Sequence, residues 1–165
     1  MPQKMLRAYL RTQLHRVFGL NVSQIAPMLL VGGQFRASQW PALYSLGVRA
    51  VLSLQAERVD RFHGPPPQRT LRLLVTDFHP PTIDQLSQGV AFIAAAHAEG
   101  LPTLVHCHAG VGRAPLMAAA YLVAVHDMPH RTALAHIRNA RPIIAPNPSQ
   151  IARLREYEHQ VRQAG

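Results

Sequence analysis

The sequence is poor in cysteine, since its 165 residues include a single one, Cys107. One thiol cannot form an intramolecular disulfide, which excludes a small secreted scaffold held together by disulfides. A solitary thiol suits a reducing compartment, so the sequence predicts a cytoplasmic location. Long apolar runs are lacking too: none approaches the roughly 18 residues that a membrane-spanning helix needs. The basic N-terminus is not followed by an apolar stretch and a cleavage site, so we expect no signal peptide.

Acidic and aromatic residues are also scarce. Asp and Glu total 8 against 17 Lys and Arg, which gives a formal net charge of +9, and aromatic residues make up 6% of the chain. A basic balance favours anionic partners, namely phosphorylated molecules, nucleic acid or acidic membranes. No aromatic residues are interleaved with basic ones as in a base-stacking platform, so nucleic acid is not an expected partner.

Residues 3–18 have the pattern of a basic amphipathic helix. One interpretation is peripheral contact with an anionic membrane, and the other is a helix packed on the domain with its charged face in solvent. We therefore divide the chain into an N-terminal helical segment, residues 1–22, and a main domain, residues 23–165. The apolar face of the helix repeats every four residues, at Leu6, Leu10, Leu14 and Phe18.

The segment 105–115 (VHCHAGVGRAP) is the part of the sequence most informative about chemistry. It follows a short apolar run that predicts a buried strand, and it precedes an alanine-rich run, 116–125, that predicts a buried helix. A glycine-bearing loop between a strand and a helix forms an anion site, because its backbone N–H groups and the helix dipole converge on the ligand. Cys107 at the start of the loop would be a stabilised thiolate nucleophile, and Arg113 at its end can bind two phosphoryl oxygens.

This order of residues, His-Cys, five residues and Arg, resembles the signature loop of the cysteine-dependent protein tyrosine phosphatase superfamily, and most closely its atypical dual-specificity branch. The resemblance implies that Cys107 attacks phosphorus, that Arg113 holds the phosphate and that His106 orients the loop and favours the thiolate. It also implies a mechanism without a metal or other cofactor. The substrate would also be bound by backbone amides of the loop, which belong to His108, Ala109, Gly110, Val111, Gly112 and Arg113.

The sequence departs from the family pattern after the arginine. The family usually has Ser or Thr there, where its hydroxyl helps the thiolate leave, whereas this chain has Ala114 followed by Pro115. The Gly-Arg-Ala-Pro form also resembles plant glucan phosphatases of the same superfamily. We expect slow breakdown of the phospho-cysteine intermediate, visible as a burst of product before steady state.

A second segment, 77–84 (DFHPPTID), supplies a candidate general acid. A carboxylic acid on a loop above a phosphate site can protonate the leaving oxygen. The segment resembles the acid loop of atypical dual-specificity phosphatases, which implies that Asp77 is the acid. Asp84 is the alternative, although we expect it in the first turn of a helix that Thr82 caps.

Three further residues are candidates for supporting roles. The segments around Arg141 and Asn147 resemble an Arg-rich and a Pro-Asn element of the family. Arg141 would reach the signature loop or the substrate, and Asn147 would hydrogen-bond the loop, with structural support and direct function equally open. His108 either lines the rim of the pocket or points to solvent.

Strands alternate with helices, and the C-terminal half is helical, so we expect a single α/β domain. The resemblance implies a central, mostly parallel sheet flanked by helices. Three functions compete. The first is a protein tyrosine or dual-specificity phosphatase acting on phosphorylated proteins. The second is the same chemistry on phosphatidylglycerophosphate, a phosphoinositide or a phosphoglucan, and the third is a phosphate-binding module without turnover.

Overall fold

The computed structural model of the chain describes residues 3, 4, 6 and 19–165. The first three of these residues are helical and exposed. The remainder of the predicted amphipathic helix, and with it the predicted membrane contact of residues 3–18, lies outside the described residues. Within the described part of the chain, no helix is long and apolar enough to cross a membrane.

The central sheet has five strands in the spatial order β1-β2-β5-β3-β4. Strand β1 is antiparallel to β2, and the other three pairings are parallel. The strands are β1 (Val22–Ala26), β2 (Leu29–Gly32), β3 (Ala50–Gln55), β4 (Arg69–Val75) and β5 (Thr103–His106). The helices are α1 (Trp40–Ser45), which follows a 3₁₀ turn, α2 (Ile83–Ala98), α3 (Arg113–His126), α4 (His130–Ala140) and α5 (Pro148–Ala164). The predicted α/β class with a mostly parallel sheet and flanking helices is confirmed.

Successive strand residues face opposite sides of the sheet, and the two sides are covered unequally. Leu52 and Val105 belong to the large core beneath α2–α5, whereas Val51 and Leu104 belong to a smaller core around Trp40 on the opposite side. Because both faces are buried, the inner strands are almost continuously apolar. Helix α3 is the most enclosed helix, and eleven of its fourteen residues are buried.

Strand β1 was not predicted from the sequence. Its residues Ser23 and Gln24 are polar, and the strand lies at one edge of the sheet, where β2 is its neighbour. It begins at Val22, the last residue of the segment that we assigned to the N-terminal helix. The apolar runs 28–31, 48–54 and 69–75 predict the next three strands, and β2, β3 and β4 lie close to these runs.

The parallel strands bring their carboxyl ends to one edge of the sheet. The loops after β3, β4 and β5 leave the sheet at this edge, and they carry the segments 56–68, 76–82 and 107–112. Ligands of open α/β sheets bind at this edge. The fold therefore gathers the signature loop and the predicted acid loop on the same side of the molecule.

Candidate active site

Cys107 lies immediately after β5 and is 2% exposed. The loop that follows ends at Arg113, the first residue of α3. Gly110 has a φ of +70°, and a Cβ at this position would lie 2.5 Å from Nη2 of Arg141 and 2.5 Å from the backbone of Gly32. Since both the left-handed conformation and the close approach exclude a side chain, glycine is required here.

Four successive carbonyl oxygens of the loop are bound from outside it. The N–H groups of Gln34 and Ala145 donate to the carbonyls of His108 and Val111, at 2.9 and 2.8 Å. The fully buried Arg141 donates from Nε to Gly110 at 2.7 Å and from Nη2 to Ala109 at 3.3 Å. With its carbonyls engaged in this way, the loop has its N–H groups left to bind an anion.

Arg141 therefore contacts the signature loop, as one of its two predicted alternatives stated. Its guanidinium also donates to Asn21 Oδ1 at 2.6 Å and to Ser23 Oγ at 3.1 Å. Asn21 directly precedes β1, and Ser23 lies within it. These partners place it in a buried network that shapes the loop. Its position favours structural support over contact with a substrate.

Arg113 is 1% exposed and extends along the sheet edge beneath the acid loop. Its Nη1 and Nη2 bind the two carboxylate oxygens of Glu57 at 2.9 and 2.7 Å. Nη1 also donates to the carbonyl oxygens of Leu54 and Val75. Among the described residues, the buried Nε has no hydrogen-bond partner. A buried donor without a partner costs about 1–3 kcal/mol, so this nitrogen marks a place where an oxygen-rich ligand would bind.

Asp77 lies at the mouth of the site. Its Oδ1 is 3.2 Å from Arg113 Nη2 and accepts the N–H of Phe78, and about half of its side chain is exposed. Asp77, Glu57 and the exposed His108 line one open cleft of about 480 Å³. His108 thus lies at the rim of the pocket, one of its two predicted positions. Asp84 lies in the first turn of α2, which Thr82 caps as expected.

The prediction that Asn147 hydrogen-bonds the signature loop was wrong. Asn147 is the N-cap of α5, and its Nδ2 donates to the carbonyl oxygen of Phe78 in the acid loop at 2.7 Å. The neighbouring Gln150, which is buried, donates to the carbonyl of His79 at 3.3 Å. Helix α5 therefore begins against the acid loop, and Asn147 contacts that loop because its amide is already oriented by its capping role.

His106 is completely buried, and its Nε2 lies 2.7 Å from Oδ2 of Asp60. The ring packs edge-on against Phe35, with the ring centroids 5.1 Å apart. This buried position beside Cys107 is compatible with the role predicted for His106, which stays a prediction. Asp60 and Glu57 both come from the loop after β3.

Four residues of the site were missed from the sequence: Asn21, Glu57, Asp60 and Gln150. The segment 57–60 offered a usable signal, because it holds two of the chain's 8 acidic residues just after a buried strand. Carboxylates at the carboxyl end of a parallel strand face the ligand edge of the sheet. Asn21 and Gln150 offered no comparable signal.

A buried thiol and a buried arginine at the two ends of a loop between a strand and a helix, on a mostly parallel sheet flanked by helices, define the architecture of the cysteine-dependent phosphatase superfamily. The family described as "Dual specificity phosphatase, catalytic domain" matches residues 29–160. The chain belongs to this family, and the predicted resemblance is confirmed.

Individual relatives agree with this assignment. Human dual specificity protein phosphatase 12 is 34% identical over 122 residues, which are 72% of this chain and 36% of that protein. Human dual specificity protein phosphatase 1 is 29% identical over 84% of this chain and 37% of its own length. The chain thus spans just over a third of these curated relatives.

Solved structures show the same fold. PTPMT1 in complex with PI(5)P superposes with a TM-score of 0.79 at 26% identity, over 87% of this chain and 97% of that one. A single-residue variant of human DUSP28 gives a TM-score of 0.77 at 24% identity, over 87% and 98% of the two chains. The second of these similarities concerns the fold alone.

Proposed function

We propose that this chain hydrolyses phosphomonoesters through a phospho-cysteine intermediate, without a metal, and that phosphorylated proteins are its substrates. The observation that supports this most directly is the buried Nε of Arg113, which has no hydrogen-bond partner among the described residues and lies at the end of the loop that begins with Cys107. A phosphoryl oxygen would bind this nitrogen with a charge-assisted hydrogen bond. The family membership of residues 29–160 supports the same chemistry.

In the first step of the proposed reaction, the Cys107 sulfur attacks phosphorus and an S–P bond forms as the bond to the leaving oxygen breaks. The loop N–H groups and Arg113 hold the three remaining oxygens and offset their charge in the transition state. Asp77 gives its proton to the leaving oxygen, which is worth about 10²–10⁴-fold in rate. A phosphoryl group bound to Nη2 would replace the present ion pair between Asp77 and Arg113.

In the second step, water attacks the phospho-cysteine, Asp77 accepts a proton from this water, and the thiolate leaves. Ala114 offers no hydroxyl to the departing sulfur and is itself buried in the core. The proposal therefore includes slow breakdown of the intermediate. A thiolate nucleophile needs a reducing environment, which is the basis for proposing a cytoplasmic location.

A phosphoinositide is the second candidate substrate. PTPMT1 was solved with PI(5)P, and it matches most of this chain at 26% identity. The net charge of +9 is compatible with an acidic membrane surface. A phosphate-binding module without turnover ranks last, because a candidate nucleophile, phosphate ligand and acid are all present.

The deciding experiment is a turnover assay with a chelator and a reductant, on an aryl phosphate, a phosphotyrosine peptide and PI(5)P vesicles. We expect Cys107→Ser to abolish turnover on each substrate while tungstate still binds. A faster reaction with the peptide supports the protein substrate, and a faster reaction with the vesicles supports the lipid. Turnover that survives in Cys107→Ser, or that requires a metal, contradicts the proposed chemistry.

A further inference from the structure

His106 has a hydrogen-bond acceptor at each of its two ring nitrogens. Nε2 lies 2.7 Å from the Asp60 carboxylate, and Nδ1 lies 3.4 Å from the carbonyl oxygen of Cys107. A carbonyl oxygen has no proton to donate, and an ionised carboxylate accepts only. A neutral imidazole carries one N–H and satisfies one of the two contacts. The imidazolium, with two N–H groups, satisfies both.

Burial makes this choice of protonation state consequential. The His106 side chain is 0% exposed, so neither nitrogen can turn to bulk water instead. A buried cation needs a counter-charge, because removing an unpaired charge from water is costly. Asp60, whose side chain is 14% exposed, is the carboxylate that meets the ring. Phe35 packs against the ring and limits its rotation.

We propose that Asp60 is a positioning residue for the nucleophile, because it holds His106 as an imidazolium whose charge stabilises the adjacent Cys107 thiolate. Asp60 contacts Nε2 of the ring, whereas Nδ1 lies toward the backbone carbonyl of Cys107, the next residue in the chain. A cation beside a thiolate favours the ionised form. The inference rests on the proposed function, for which it specifies how the thiolate is maintained.

Other charged groups near this arrangement have partners of their own. Arg72 on β4 lines a cavity of about 120 Å³ together with Asp60, and its guanidinium donates to the carbonyl oxygens of Gln55 and Ala56. Arg113, at the other end of the signature loop, is paired with Glu57 and Asp77. The strand neighbours of His106 in register are Ser53 and Gly32, which are uncharged. Asp60 is therefore the carboxylate in contact with His106.

The first test uses the unaltered protein. The ¹⁵N shifts of the His106 ring, assigned by comparison with His106→Asn, distinguish an imidazolium from either neutral tautomer. We expect the imidazolium at pH 7. A neutral His106 ring at this pH would overturn the proposal, and this result does not depend on whether any Asp60 variant folds.

The second test measures the thiolate through the rate of alkylation by iodoacetamide as a function of pH. Because Cys107 is the single cysteine, the whole signal comes from the nucleophile. We expect Asp60→Asn to move the midpoint of this profile to higher pH. The rate below the midpoint would fall roughly tenfold for each unit of displacement. An unchanged midpoint would overturn the proposal.

Matched variants separate this role from packing. Asp127→Asn removes the same charge from an exposed carboxylate on the far end of α3, and we expect it to leave the profile unchanged. Asp60→Glu keeps the charge and should restore the midpoint. In a His106→Asn background, Asp60→Asn should have no further effect. Since alkylation requires no phosphoryl transfer, these results stand apart from the outcome of the turnover assay.

Discussion

At the scale of single residues, Glu57 determines the orientation of the Arg113 guanidinium. Its two carboxylate oxygens bind Nη1 and Nη2 of the guanidinium side by side, which is the fork geometry that an arginine and a carboxylate prefer. The hydrogen bond from Arg113 lowers the pKa of Glu57 to about 2. Glu57 therefore stays ionised at any practical assay pH, and the orientation of Arg113 does not vary with pH over that range.

Replacing Glu57 by Gln tests this interpretation. The variant keeps one acceptor oxygen but loses the charge and the second acceptor, so Arg113 is held less firmly. Hydrogen bonds to charged groups contribute roughly 1.5–3 kcal/mol, so we expect tungstate to bind about tenfold more weakly and kcat/KM to fall by a similar factor. Calorimetric titration with tungstate and steady-state kinetics measure the two effects.

Glu99→Gln is the matched control for this substitution. Glu99 forms a similar two-point ion pair with Arg69, but both of these side chains are on the surface, whereas Arg113 is buried. Exposed pairs contribute about 0–1 kcal/mol, so tungstate binding should not change. Equal effects of the two substitutions would show that Glu57 acts only through overall charge.

At the scale of elements, the first turn of α5 holds the acid loop in place. Asn147 caps the helix by accepting the N–H of Gln150, and its amide donates to the carbonyl of Phe78. Phe78 has a φ of +64°, a left-handed conformation that is rare and strained for a bulky residue. The contact from Asn147 helps to offset this strain, and it fixes the residue next to Asp77.

Asn147→Asp separates the two roles of this side chain. Asp caps a helix about as well as Asn, so the free energy of unfolding should change by less than about 1 kcal/mol. A carboxylate cannot donate to the Phe78 carbonyl, so the acid loop loses that contact. We expect kcat/KM for a phosphoserine peptide to fall several-fold, since a poor leaving group needs the acid in the first step, whereas kcat/KM for an aryl phosphate with a good leaving group is hardly affected.

Asn147→Ala provides the comparison for this prediction. It loses both the cap and the contact, so it should show the same kinetic change together with a loss of about 1 kcal/mol in stability. If Asn147→Asp hydrolysed both substrates as the original protein does, the acid loop would be held by other contacts.

At the scale of the whole molecule, the sequence was most informative where residues that act together are close in the chain. The spacing from Cys107 to Arg113 lies within one loop, so local pattern alone indicated the site. Glu57 lies 56 positions from Arg113, and Asp60 lies 46 positions from His106. No local pattern encodes such pairs, because the order of strands in the sheet brings them together.

The edge strand β1 was the least predictable strand of the sheet for a related reason. The inner strands are buried on both faces, so their apolar runs were evident, whereas β1 is half-buried and contains polar residues. Its contribution to the site, through Ser23 and the preceding Asn21, depends on contacts with the distant Arg141. An isolated segment gives no sign of that partner.

The role of a histidine also depends on partners that are distant in the chain. The chain has ten histidines, and their spacing in the sequence indicates no metal site. His97 on α2 joins three elements: its Nδ1 lies 3.0 Å from the hydroxyl of Tyr121 on α3, and its Nε2 lies 2.9 Å from the carbonyl of Met28 in the β1–β2 turn. Burial lowers the pKa of His97, and the nearby His126 lowers it further, although the hydrogen bond to Met28 opposes this shift.

A lowered pKa in the folded state means that the unfolded chain binds the proton of His97 more readily. His97 therefore contributes stability that is present above its ordinary value, near pH 6.5, and is lost as the pH falls below it. We expect the free energy of unfolding, measured with urea, to contain a decrease between pH 7.5 and 5.5 that comes from His97 and amounts to at most about 1.4 kcal/mol per pH unit. In His97→Gln, which can still donate to Met28, the decrease should be smaller. His159→Gln, on the exposed side of α5, should keep the original slope. Equal slopes for the original protein and His97→Gln would mean that protonation of His97 does not affect the stability of the protein.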